Sequence, residues 1–243
     1  MAYNFLGLVN AMNRRLNEVE LTSSNFATAT GFYSQAKDAV NAAIRYVNQS
    51  EYFWSFNHTT KEQTLVANTS RYAFPTDAKV INFNTFRIKE NTTLGNSTTR
   101  LTEIVYEDYL DRFVDQEYNS STGQGVPRHV AQAPDLKFIM TPEPDKAYEL
   151  VFEYYTFPTD LSATTDAPTI PERFQHVIVD GAMHYGYLFR GNTQDAMVMK
   201  EKFDEGIKYM RSQLINRTPY VRSYMLTGNT GGVSTGFSSV FNI

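Results

Sequence analysis

Residues 170–217 read IPERFQHVIVDGAMHYGYLFRGNTQDAMVMKEKFDEGIKYMRSQLINR. Pro171 suits a first helical position, and Glu172 puts a carboxylate where the first turn favours one. Phe174, Val177, Ile178, Gly181, Tyr185 and Leu188 then recur at helical spacing and share one face. Gly191 reads as the C-cap, and Asn192 to Asp195 as the start of a second helix. That helix carries Ala196, Met199, Phe203, Ile207, Met210 and Leu214 in steps of three and four, a narrow apolar seam. So short a turn predicts two antiparallel neighbours.

Toward the N-terminus, Phe5, Leu8, Met12, Leu16 and Val19 predict an amphipathic helix, broken by Thr22, Ser23, Ser24 and Asn25. A second helix is expected over 33–48, facing inward through Ala36, Val40, Ala43, Ile44 and Val47. Four helices from two ends of the chain predict a four-helix bundle, with residues 1–57 and 170–217 as one domain. The aromatic knot Tyr52-Phe53-Trp54-Ser55-Phe56 reads as a hydrophobic plug where that bundle meets the next domain. A ligand-stacking platform is the other reading of the knot, and no polar pattern accompanies it.

Between the helical halves the period changes to two. Strands are expected at 62–67, 71–74, 80–88, 101–105, 129–133, 136–140 and 148–157, with a short helix over 106–113. They predict an antiparallel β-sandwich or barrel inserted as residues 58–169, the last eleven of which form a polar linker, so the fold class is α+β. Residues 90–99 and 117–125, rich in Asn, Ser, Thr and Gly, read as loops. Residues 218–243 carry Arg222 as the sole charge, yet hold Tyr220, Tyr224, Met225, Leu226, Phe237, Val240, Phe241 and Ile243. A disordered tail should be poor in such residues, so an extended arm that orders against a partner is expected.

Composition narrows the function. At 243 residues the chain can bury a substantial core. A net charge of −4 and a pI near 5.6 do not favour a nucleic-acid binder. With no cysteine, disulfides, thiol chemistry and thiolate metal sites are excluded. The first helix holds Asn10, Asn13, Arg14 and Arg15 and fits neither a signal peptide nor a membrane span. Triplets such as Asn57-His58-Thr59, Asn91-Thr92-Thr93 and Asn119-Ser120-Ser121 then reflect composition, not glycosylation.

Signals for chemistry are sparse. His58, His129, His176 and His184 lack metal-ligand spacing, and the eight residues from His176 to His184 put two helical turns between them. Gly123-Gln124-Gly125 runs into Val126-Pro127 and not into a helix, so it is not a phosphate loop. No G-x-S-x-G nucleophile elbow occurs. Asp108, Asp111, Asp115 and Glu117 read as a solvated face. No catalytic residue, metal ligand or cofactor is assigned. Gly181, Ala182 and Gly186 permit close backbone approach and are read as a packing site, within the chain or between subunits.

The order of these parts resembles the head-to-tail adaptors, or tail tubular protein A family, of short-tailed bacteriophages. The resemblance is carried by Tyr52-Phe53-Trp54-Ser55-Phe56-Asn57, by Tyr72-Ala73-Phe74-Pro75, and by Ile170-Pro171-Glu172-Arg173-Phe174 opening the final hairpin. It covers residues 1–217 as an order of elements more than as identity. It implies a non-enzymatic virion protein of the neck, assembled in the host cytoplasm. It also implies a ring of twelve copies between the portal protein and a tail nozzle protein. Double-stranded DNA would be only a transient passenger in the channel, and no membrane is involved. On this reading the arm residues Tyr220, Tyr224, Phe237, Val240, Phe241 and Ile243 bind the portal or a neighbouring subunit. The alternatives are another tail component (a completion or nozzle protein), a carbohydrate-binding β-module using Trp54 and tyrosines, and a hydrolase using the acidic cluster around Asp111.

Overall fold

The computed structural model describes residues 2–92, 95–118 and 123–215. Its helices run in chain order as α1 (Phe5–Arg15), α2 (Phe32–Gln49), α3 (Tyr106–Arg112), α4 (Val114–Tyr118), α5 (Gln175–Phe189) and α6 (Thr193–Leu214). Asn4 caps α1, its Oδ1 accepting from the Gly7 N–H at 2.8 Å. The helix stops at Arg15, and Asn17 at φ 57° turns the chain away. Val19, expected on the helical face, is therefore outside the helix and exposed. In α2, Ala36, Val40, Ala43, Ile44 and Val47 are all buried. A 3-10 turn at Glu172–Phe174 precedes α5, so Pro171 lies just before a turn and not in the first turn of the long helix. Gly191 adopts φ +76° between α5 and α6, a conformation glycine enters without penalty. The Asn192 side chain accepts from the Asp195 N–H at 3.2 Å and starts α6. The seam of α6 is buried at Ala196, Phe203, Ile207 and Met210.

The expectation of a four-helix bundle built from both chain ends is not met. Among the described residues the last helix, α6, stops at Leu214, and the helices do not surround a shared axis as equals. Instead α5 is a central rod. A Cβ added at Gly181 would lie 2.7 Å from the Phe203 ring of α6 and 2.9 Å from Ala43 of α2. Gly206 of α6 likewise abuts Val177. Gly186, roughly two and a half turns beyond Val177 and hence on the opposite face, abuts Met12 and Leu16 at the α1 end. So α1 and α6 flank α5 from opposite faces, while α2 lies along a third. The physical reason is that α5 is apolar or small nearly all round: Val177, Ile178, Val179, Gly181, Ala182, Met183 and Gly186 are buried. A helix of that kind sits inside, where a one-sided helix would take a corner.

The strands are β1 (His58–Thr64), β2 (Arg71–Ala73), β3 (Ala78–Thr92), β4 (Gly95–Arg100), β5 (Thr102–Ile104), β6 (Gln124–Gly125), β7 (His129–Ala133), β8 (Lys137–Thr141), β9 (Glu143–Pro144) and β10 (Glu149–Thr156). One sheet has the order β1-β10-β3-β4 and a second the order β2-β8-β7-β5; β6 and β9 form a small pair. The two larger sheets share a core in which Phe86 stacks on Phe152 at 4.6 Å and meets Phe138 edge-on at 5.2 Å. The β1-β10-β3-β4 sheet is wholly antiparallel, but the expected all-antiparallel pattern fails elsewhere: the second sheet is mixed, because β5 pairs with β7 in parallel, and β6–β9 is a parallel pair. On the far side of β7 and β8, Tyr109 of α3 covers Ala131, Ala133 and Ile139. That second covering explains why β8 reads as a continuous apolar run instead of an alternating one. Residues 90–99, expected as a loop, belong largely to the β3–β4 hairpin, paired from Arg87–Arg100 to Thr92–Gly95. Ser97 to Arg100 are exposed, so no burial imposes an apolar alternation for the sequence to display.

Polar contacts join the helical and sheet cores. Asn57, buried at the end of the aromatic knot, donates to Asn48 Oδ1 at 2.6 Å. Its carbonyl accepts from Thr156 Oγ1 of β10 at 3.2 Å, and its Oδ1 accepts from Thr169 Oγ1 at 3.0 Å. Lys79 Nζ, at the start of β3, donates to the Glu51 carbonyl at 2.6 Å, and its burial lowers its pKa. The polar linker is clamped as well, for Phe5 N–H donates to the Asp166 carbonyl at 2.7 Å.

Candidate functional site

Of the positions read from sequence, Gly181, Ala182 and Gly186 lie inside the helical layer against α2, α6 and α1. The arm residues Tyr220, Tyr224, Phe237, Val240, Phe241 and Ile243 lie outside the described residues. The aromatic knot divides. Trp54 is fully buried and its Nε1 donates to the Val47 carbonyl at 2.8 Å, while its ring stacks on Phe56 at 5.3 Å. Tyr52 and Phe53 are exposed, Phe53 meeting Tyr155 of β10 edge-on.

The histidines stay apart. His184 Nδ1 lies 2.7 Å from the Ala196 carbonyl across the α5–α6 contact, and His58 pairs with Glu153 at 3.1 Å. Among the described residues no group of three His, Asp or Glu is placed to hold a metal ion. No described helix is long and apolar enough to cross a membrane.

The acidic cluster is split by the fold. Glu117 leaves it to form a bidentate pair with Arg71 of β2, at 2.6 and 3.0 Å, and also accepts from Tyr109 Oη at 2.8 Å and Ser70 Oγ at 3.3 Å. The Arg71 hydrogen bond, with help from Tyr109, holds the Glu117 carboxyl below the ordinary carboxylate range. Nearby Glu143 is driven the other way, raised by its burial and by the charge of Glu117. Burial and the bond to Glu117 also raise the Tyr109 phenol. Two carboxylates with opposed shifts can mark acid–base chemistry. Here, however, every oxygen contact of Glu117 goes to a residue of the chain that pins α3 and α4 to the sheet, which is what a structural clasp requires. The sequence grouped Glu117 with Asp108, Asp111 and Asp115, and nothing local announced a partner 46 residues upstream.

What the sheets leave open lies elsewhere. A groove of about 950 Å³ runs along β5, lined by six consecutive residues from Thr102 to Glu107 and closed across by Asn84, Arg100, Gln132 and Pro134. Strand β5 ends its sheet, so one of its backbone edges has no paired strand among the described residues. Thr102 N–H donates to the Arg128 carbonyl at 2.8 Å, on the β7 side. Strand alternation therefore turns the N–H and C=O of Glu103 to the open edge. Val105 stands 63% exposed beside it. At the α5–α6 turn Leu188, Phe189, Met197 and Val198 are exposed too. Open backbone and exposed apolar groups are means of binding protein, not of transforming a small molecule.

A family model described as SU10 adaptor protein matches residues 3–224, nearly the whole chain. No curated protein matches it.

Proposed function

This chain belongs to the SU10 adaptor protein family, and from that premise we infer that it is a structural adaptor of a phage neck, joining the portal to the tail. In the finer reading, twelve copies form a ring beneath the portal protein, receive the tail nozzle protein on the other side, and continue the channel through which double-stranded DNA passes. The single observation that carries it is the family match across both the helical layer and the sheets. The mild negative charge supports a conduit, because a wall of phosphate-binding cations would hold the DNA it must release. Assembly takes place in the host cytoplasm, and residues 218–243 are the segment that engages the portal or a neighbour. Burying one Phe or Ile of that segment contributes about 1.5–3 kcal/mol before ordering costs. Repetition around a ring turns such modest contacts into durable attachment.

Native mass measurement of the purified protein, alone and mixed with portal rings of the same phage, tests the reading. The expected result is one portal ring carrying twelve added subunits. Absence of association at every salt concentration would overturn it.

A further inference from the structure

We propose that the open edge of β5 takes up residues 233–243 of an adjacent copy as an added strand. The inference rests on the ring reading above and deepens it, by naming the surface on one subunit and the segment on the next. Three observations carry it. The first is the acceptor: β5 is an edge strand among the described residues, Glu103 at its centre directs its backbone N–H and C=O outward, and the groove follows the strand Thr102–Ile104 and continues past Val105 onto Tyr106 and Glu107 at the start of α3. Exposed strand edges of this kind are templates for pairing with another chain.

The second is the donor. In residues 233–243 the odd positions are Val233, Thr235, Phe237, Ser239, Phe241 and Ile243. The even ones, apart from Val240, are small or polar. This period of two is the pattern of a strand with one apolar face, and it contrasts with the helical periods of α5 and α6. The segment carries no charged side chain. That suits a groove whose charged lining is Arg100 against Glu103 and Glu107, a net charge of only about −1.

The third is reach and symmetry. Seventeen residues, 216–232, separate Ile215 from the donor, enough to span about 55 Å when extended. Arg211, one turn before the end of α6, pairs with Glu51, which lies between α2 and β1, so α6 ends close to the point where the chain passes from the helical layer into the sheets. One donor and one differently shaped acceptor per copy make a head-to-tail contact, the kind that closes into a ring.

The natural absence of cysteine permits a direct test. Full-length Glu103→Cys and Phe241→Cys chains, distinguished by mass tags, are mixed, assembled into rings on the portal and treated with a short bis-maleimide. Covalent dimers joining one variant to the other are expected. A chain carrying both substitutions that links only within itself would overturn the assignment to an adjacent copy. Rings that assemble on the portal without any such link would overturn strand addition and leave the adaptor role standing. Wild-type protein that never assembles would remove both. In parallel, Glu103→Pro deletes the outward N–H at a position where an edge strand tolerates proline. With an unchanged circular dichroism spectrum, it is expected to weaken ring assembly by at least about tenfold. Assembly equal to wild type would contradict the proposal.

Discussion

Glu117 shows how a single side chain can be read one way along the chain and another in space. Its folded pKa lies below the ordinary 4.5, so as pH drops the unfolded chain takes up the proton first. The stability it contributes is therefore present above about pH 4.5 and is lost as pH falls through the lower folded value. Glu143, raised by burial, has the opposite sign: its contribution is lost as pH rises through its folded value. Replacing Arg71 with Met strands a half-buried carboxylate, and should cost about 1–3 kcal/mol near pH 7. Below the lowered folded pKa of Glu117 the carboxyl is protonated in both states and that loss should shrink. Melting curves of the wild type and R71M at the two pH values measure the difference. An equal loss at both would assign Arg71 to packing. None of this was legible in sequence, because the run of acidic residues on a short helix looks the same whether or not one of them turns inward.

At the scale of elements, the hairpin of α5 and α6, its glycine and asparagine caps and the inward face of α2 were legible, because each rests on spacing within one segment. The number of faces that α5 buries was not. One apolar face was read where the fold uses nearly the whole circumference, since glycine and alanine register weakly as core residues although they are where neighbouring helices come closest. The aromatic knot is similar. Composition marks Trp54 as a hydrophobic anchor, but only packing separates it from the exposed Tyr52 and Phe53. Trp54→Ala should destabilise the protein by about 3–5 kcal/mol through the cavity it leaves. Trp54→Phe, which keeps most of the ring and forfeits the bond to Val47, should cost less. Denaturant unfolding of both variants checks this order. A well-folded Trp54→Ala protein that loses binding on a glycan array would instead favour the carbohydrate-module reading.

For the whole molecule, the question is whether the described body needs the residues that follow it. The helical core closes with Met210, and Leu214 and Ile215 pack against it. Removing residues 218–243 should therefore leave a folded protein, with stability changed by no more than about 1 kcal/mol. It should also abolish ring formation and portal attachment. Calorimetry and native mass of the truncated chain measure the two effects separately. Retained portal binding would take the arm out of the mechanism. The mixed sheet belongs to this scale as well: alternating residues located most strands, yet no alternation states that β5 runs parallel to β7 or that it stands at an edge.

Sequence alone carried the α+β class, the positions of the long helices and most strands, and the kinship with phage adaptors. Each of these depends on residues near one another in the chain, or on the order of segments. Three-dimensional packing was needed for the central place of α5, the pairing of Arg71 with Glu117, the second covering of β8 and the open edge of β5. These depend on which surfaces meet. A surface acquires its partner, or remains without one, only when segments tens of residues apart are brought side by side, and the hydrophobic effect that drives them together carries no direction in the sequence.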